Sequence, residues 1–69
     1  MKMHAARSSL IASYGYDPAT GDMDIAFSSG STWRYSGVTM DLFTRFLQAP
    51  SKGKFFIAEI KGKHAESKQ

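Results

Sequence analysis

The sequence predicts an α+β domain: a three-stranded antiparallel β-meander followed by two short helices packed on one face. Three observations carry that expectation. Apolar and polar residues alternate through 22–28 and 32–36, the period of a half-buried strand. Turn chemistry at Asp17-Pro18-Ala19-Thr20-Gly21 and at Ser28-Ser29-Gly30-Ser31 separates the alternating stretches. Beyond Thr39 the period lengthens, and Leu42, Phe43, Phe46 and Leu47 fall on one helical face.

The first strand is expected over 8–16, where Leu10, Ala12, Tyr14 and Tyr16 alternate with Ser9, Ser13 and Gly15 while Ile11 falls out of step. The second has Met23, Ile25 and Phe27 on one face and Asp22, Asp24 and Ala26 on the other. In the third, Trp33 and Tyr35 face one way, and Thr32 and Arg34 the other. Thr39 is placed to cap the first helix, with Asp41 favourable in its first turn. Asp41 and Arg45 are spaced to pair on the outer face. Phe43, Phe46 and Leu47 are expected to cover Met23, Ile25 and Phe27, which leaves the other sheet face to solvent or a second subunit.

The two helices meet at Ala49-Pro50-Ser51-Lys52-Gly53-Lys54-Phe55-Phe56. Pro50 disfavours helical geometry at Ala49 and so stops the first helix. Ser51 is a good N-cap for the second, which runs through Phe55, Phe56, Ile57 and Ile60 and ends by Gly62. Gly53 lets another group approach the backbone. A helix entry with free N–H groups, flanked by Lys52 and Lys54, suits an anion. A plain helix-to-helix turn with solvated lysines has the same pattern.

Sixty-nine residues allow one domain. A chain this short buries only about 60% of its unfolded surface, and it has no cysteine for a disulfide or a thiolate metal site. Self-association is therefore expected to add stability. The net charge is +3, and all of the excess lies in 51–69, where five lysines face only Glu59 and Glu66. This asymmetry favours an anionic partner. No apolar run reaches the roughly 20 residues of a membrane span, and Met1-Lys2-Met3-His4-Ala5-Ala6-Arg7 lacks the apolar core of a signal peptide. The expectation is a cytoplasmic protein with no membrane partner, tails at 1–7 and 64–69, and a domain over 8–63.

Within this order of residues the chain resembles the KTSC domain, a small domain found at the C-terminus of some lysyl-tRNA synthetases and as a stand-alone protein. The resemblance rests on Ser8-Ser9, Gly15-Tyr16-Asp17-Pro18, Met23-x-Ile25-x-Phe27, Gly30, Trp33-Arg34-Tyr35 and Gly37-Val38. It continues through Ala49-x-Ser51-Lys52-Gly53-Lys54-Phe55-Phe56 and Ile60-Lys61-Gly62. Thr39 replaces a proline usual in the family, which leaves helix entry to capping. His64 replaces an aromatic residue. The resemblance implies a nucleic-acid-binding role, with Ser51, Lys52, Gly53 and Lys54 as the surface and Arg34 and Tyr35 on the neighbouring strand.

Catalysis is not expected. His4 and His64 lie in the tails without metal-ligand spacing, and no histidine of the folded region stands ready to activate a serine. No cofactor is implied. A tryptophan at alternating spacing is more often core than platform, but on an open face Trp33 would stack on a base or meet a partner. Tyr35 and Tyr16 are the other stacking candidates. The expected function is a binding module for phosphorylated nucleotides, with Ser51, Lys52, Gly53, Lys54 and Arg34 on the phosphates. As a homo-oligomer it would act as a phage or bacterial sponge that sequesters a small cyclic nucleotide. RNA or DNA binding through the same phosphate contacts is the alternative, and an oligomeric protein-interaction module is a third.

Overall fold

The computed structural model describes all 69 residues. Seven elements follow in chain order: β1 (His4–Ala5), β2 (Ile11–Asp17), β3 (Asp22–Phe27), β4 (Thr32–Tyr35), α1 (Met40–Gln48), α2 (Lys52–Glu59) and β5 (Glu66–Lys68). The strands form one sheet in the order β1-β2-β3-β4-β5, antiparallel throughout. The expected meander is its centre, but the sheet has five strands rather than three. Both segments expected as tails pair with it, His4 opposite Tyr14 and Tyr35 opposite Glu66. His64, expected in a tail, has its Nδ1 3.1 Å from Ser36 O, so a protonated Nδ1 donates to that carbonyl.

The turn chemistry places the strands. Asp17 Oδ1 accepts from Ala19 N at 2.9 Å, and Gly21 adopts φ +78° where the chain turns into β3. That conformation is open to glycine and costly for a residue with a Cβ. The register then sets Tyr14 opposite Ile25 and Tyr16 opposite Met23, with Trp33 and Tyr35 across from the same two β3 residues. All six side chains therefore share one face. Ile11, Met23, Ile25 and Tyr35 are buried there, together with Val38, Phe46, Phe56 and Ile60.

Both helices cover this face. Thr39 caps α1 by accepting from Leu42 N at 3.1 Å, and Ser51 caps α2 by accepting from Lys54 N at 3.3 Å. Phe46 from α1 meets Tyr14 edge-on at 5.2 Å, and Phe56 from α2 meets Tyr35 at 5.2 Å and Phe27 at 5.4 Å. Phe43 stacks on Tyr16 at 4.3 Å. Leu47, expected in the cover, lies one residue past Phe46 and is 41% exposed. Arg45 pairs with Glu59 of α2 at 3.3 Å, rather than with Asp41 on its own helix.

Solvent and chain divide the second sheet face. A Cβ on Gly15 would fall 2.7 Å from Met3 Sδ and 2.9 Å from Lys2 O, so the N-terminal segment lies directly over it. Beside it, Arg34 binds Asp24 with two bonds, Nε to Oδ1 at 2.8 Å and Nη2 to Oδ2 at 3.1 Å. The two residues are directly opposite on β4 and β3. Asp24 is buried, and this fork satisfies both of its oxygens. The same bonds, more than the accompanying field of the carboxylate, raise the Arg34 pKa above its ordinary value.

Two outcomes follow from this packing. Arg34→Met strands a buried carboxylate, so its melting temperature falls, and adding Asp24→Asn restores part of the loss; thermal denaturation monitored by circular dichroism reads both. Burial, with Glu66 adding to it, pushes the Tyr35 phenol above its ordinary value. Up to about pH 10 the phenol is neutral in folded and unfolded chains alike. Above that the unfolded chain ionises first and holds fewer protons, so stability falls as pH rises toward the raised pKa. Tyr35→Phe removes this contribution, and its alkaline unfolding midpoint lies at higher pH in a pH titration of circular dichroism.

Candidate functional site

The junction between the helices is built as its sequence dictates. Ala49, with ψ 135°, leaves helical geometry before Pro50, and its N–H closes the last turn on Phe46 O. Lys52 reaches back along the junction, and its Nζ donates to Leu47 O at 3.2 Å while lying 6.0 Å from the Phe46 ring. It therefore satisfies a carbonyl that the end of α1 leaves open. Gly53 is buried, and a Cβ there would lie 3.1 Å from Ser8 Oγ and 3.3 Å from Leu10 Cβ. The missing side chain lets α2 press on the segment that leads into β2. Ser8 holds that segment in shape by accepting from Leu10 N and Ile11 N at 3.2 Å each.

A hollow of about 360 Å³ lies between that segment and the entry of α2. Arg7, Ser8, Ser9 and Leu10 form one wall, and Pro50, Ser51, Gly53, Lys54 and Ile57 the other. Arg7 and Lys54 are exposed, and neither has a carboxylate partner, because both ion pairs of the chain are made by other residues. No acidic residue lines the hollow. A second, more apolar hollow of about 430 Å³ adjoins it across Pro50, Ser51 and Lys54, and adds Ala49 and Phe55. The Arg45 guanidinium lies 5.7 Å from the Phe55 ring.

The structure brings together only part of the expected set. Ser51, Gly53 and Lys54 line the first hollow. Lys52 is diverted to Leu47 O. Arg34 is on the far face of the sheet, held by Asp24. Of the stacking candidates, Tyr35 is core, and Tyr16 lies on Phe43 with its hydroxyl donating to Val38 O at 2.6 Å. Trp33 is half-buried against the core. The aromatic ring that borders the site is Phe55. Arg7 and Ser9 lie outside the expected set: the sequence puts Arg7 in a tail and Ser9 among the polar residues of the first strand. The signal available was Ser8-Ser9, a pair suited to a local hydroxyl-to-amide turn.

The hydroxyls of Ser8 and Ser51 accept backbone N–H bonds, and His64 is bonded at Ser36, just past the end of β4. No three His, Asp or Glu side chains converge to hold a metal. No helix is long and apolar enough to cross a membrane.

Comparison with known proteins agrees with this architecture. The KTSC domain profile matches residues 7–64. The crystal structure of a KTSC domain protein from Yersinia pestis superposes with a TM-score of 0.93 at 39% identity, covering 99% of this chain and 96% of that one. An uncharacterized protein of Stutzerimonas stutzeri is 38% identical over 64 residues, which is 93% of this chain and 90% of that protein. A lysine–tRNA ligase of Nostoc sp. is 39% identical over 54 residues, which is 78% of this chain but 10% of the ligase. Matched over nearly its whole length in both sequence and fold, the chain belongs to the KTSC domain family.

Proposed function

We propose that this domain is a non-catalytic binding module for phosphorylated nucleotides, with phosphate seated between Arg7 and Lys54. One observation carries the reading: two cations without ion-pair partners share a serine-lined hollow whose walls hold no carboxylate. Opposite charge and hydroxyl donors are what a phosphate needs. Ser51 occupies the third amide of α2 through Lys54 N. A helix start leaves its first amides without an intrahelical partner, and with Lys54 N taken by Ser51 Oγ those of Lys52 and Gly53 remain. The adjoining apolar hollow, bordered by Pro50 and Phe55, suits the face of a base. In a homo-oligomer such a module would sequester its ligand in the cytoplasm.

RNA is the second reading, and a specific observation favours it. A segment like this chain forms about a tenth of a ligase whose name places it on tRNA. The same cations would then meet phosphates of a chain rather than of a free nucleotide. The net charge of +3 is small for tight nonspecific binding, which draws on many phosphate contacts.

Calorimetry with cyclic and linear nucleotides, beside a gel shift with short RNA at low salt, separates the two readings. An enclosed nucleotide binds with fixed stoichiometry and shallow salt dependence, whereas RNA affinity falls steeply as salt rises. Lys54→Ala is expected to weaken binding about tenfold, a loss of about 1.4 kcal/mol, with an unchanged melting temperature because Lys54 is exposed. Arg34→Met leaves affinity as it was. Retained binding in both Lys54→Ala and Arg7→Ala, or no heat and no shift with any ligand, overturns the reading.

A further inference from the structure

We propose that β5 is a dimerisation edge: two copies pair antiparallel along Glu66–Lys68 about a two-fold axis at Ser67. The argument starts from which backbone groups β5 leaves unpaired. Ala65 O accepts from Ser36 N at 2.9 Å, and Gln69 N donates to Thr32 O at 2.8 Å. Residues 65 and 69 therefore direct their groups inward to β4. Along an antiparallel strand this direction alternates, so the N–H and C=O of Glu66 and Lys68 point outward from the sheet. β5 is the last strand of the sheet, and nothing in the chain pairs with its outer side.

An exposed edge is a template for another strand, and proteins commonly guard it with charge. A single charge does so well, because it meets its own copy. Here two charges of opposite sign stand two residues apart on one face, both exposed. Three two-fold registers match outward groups with outward groups. Centring on Glu66 sets glutamate against glutamate, and centring on Lys68 sets lysine against lysine. Centring on Ser67 sets Glu66 against the partner's Lys68, and does so twice. Directly opposed unlike charges stabilise an antiparallel pair and like charges destabilise it. The same register makes both Glu66–Lys68 couples hydrogen-bonded pairs, each exchanging two N–H to O=C bonds. Backbone and side chains thus select one register.

The product is an isologous dimer in which the five-stranded sheet continues into that of its partner. The other edge has no such pattern: β1 pairs over only two residues, His4 and Ala5. The dimer does not depend on any ligand, since none of its pairing residues lines the hollow at Arg7 and Lys54.

Sedimentation velocity of the full chain from micromolar to millimolar concentration tests this. The wild type is expected to shift from monomer toward dimer. Glu66→Lys and Lys68→Glu each turn both attractive couples into repulsive ones, and each weakens dimerisation about tenfold or more. The double variant Glu66→Lys/Lys68→Glu restores it. The two single variants, monomeric alone, form a heterodimer when mixed, because one then presents two lysines to two glutamates. Far-UV circular dichroism verifies that each variant is folded. A wild type that stays monomeric at millimolar concentration overturns the proposal. So does a dimer that neither single reversal weakens, or a double variant that stays monomeric.

Discussion

The fold depends on two phenylalanines reaching across from two helices to one face of the sheet. Phe46 and Phe56 are the largest side chains shut completely away from water, and each meets aromatic rings on the strands. A buried ring of this size stabilises by roughly 3 kcal/mol through area alone, which is a large share of what a small domain has to spare. Each ring needs its helix at one height and rotation. The caps at Thr39 and Ser51, and the break at Pro50, set the helices so that both rings land.

That requirement explains why the helix junction carries so much of the recognisable sequence. Gly53 allows α2 to close on Ser8 and Leu10, and Lys52 closes the end of α1. Two residues that read as ligand contacts therefore hold the scaffold. Their packing brings the segment 7–10 alongside α2 and so forms the hollow. Scaffold and site are one arrangement here, with the side chains of Lys54 and Arg7 the ones left free of structural bonds.

The second face of the sheet is managed differently. It has no helix, yet Asp24 is buried there, and Arg34 satisfies it from the next strand. The N-terminal segment covers Gly15, where a side chain would block it. This face is closed by a salt bridge and a strap rather than by an apolar layer. Arg34 serves that closure and is thereby withdrawn from any role at the helix junction.

The local signals were sufficient for the middle of the chain. Alternation at Met23, Ile25 and Phe27, turn residues at 17–21, and capping residues Thr39 and Ser51 each act within a few neighbours, so order along the chain is enough to read them. The family resemblance, carried by the same residues, was equally legible. The edge strands were not, because His4–Ala5 and Glu66–Lys68 are strands only by virtue of a neighbour to pair with. Nor was the site complete in the sequence. Whether Lys52 faces solvent or a carbonyl, whether Arg34 meets an anion or Asp24, and whether Arg7 is a tail residue or a wall all depend on partners distant in the chain. Residue type and spacing determined the three central strands and the two helices; pairing partners decided the edge strands, and the register and the approach of α2 to the start of β2 decided which charges remain available, since an ion pair or a hydrogen bond is settled by proximity in space.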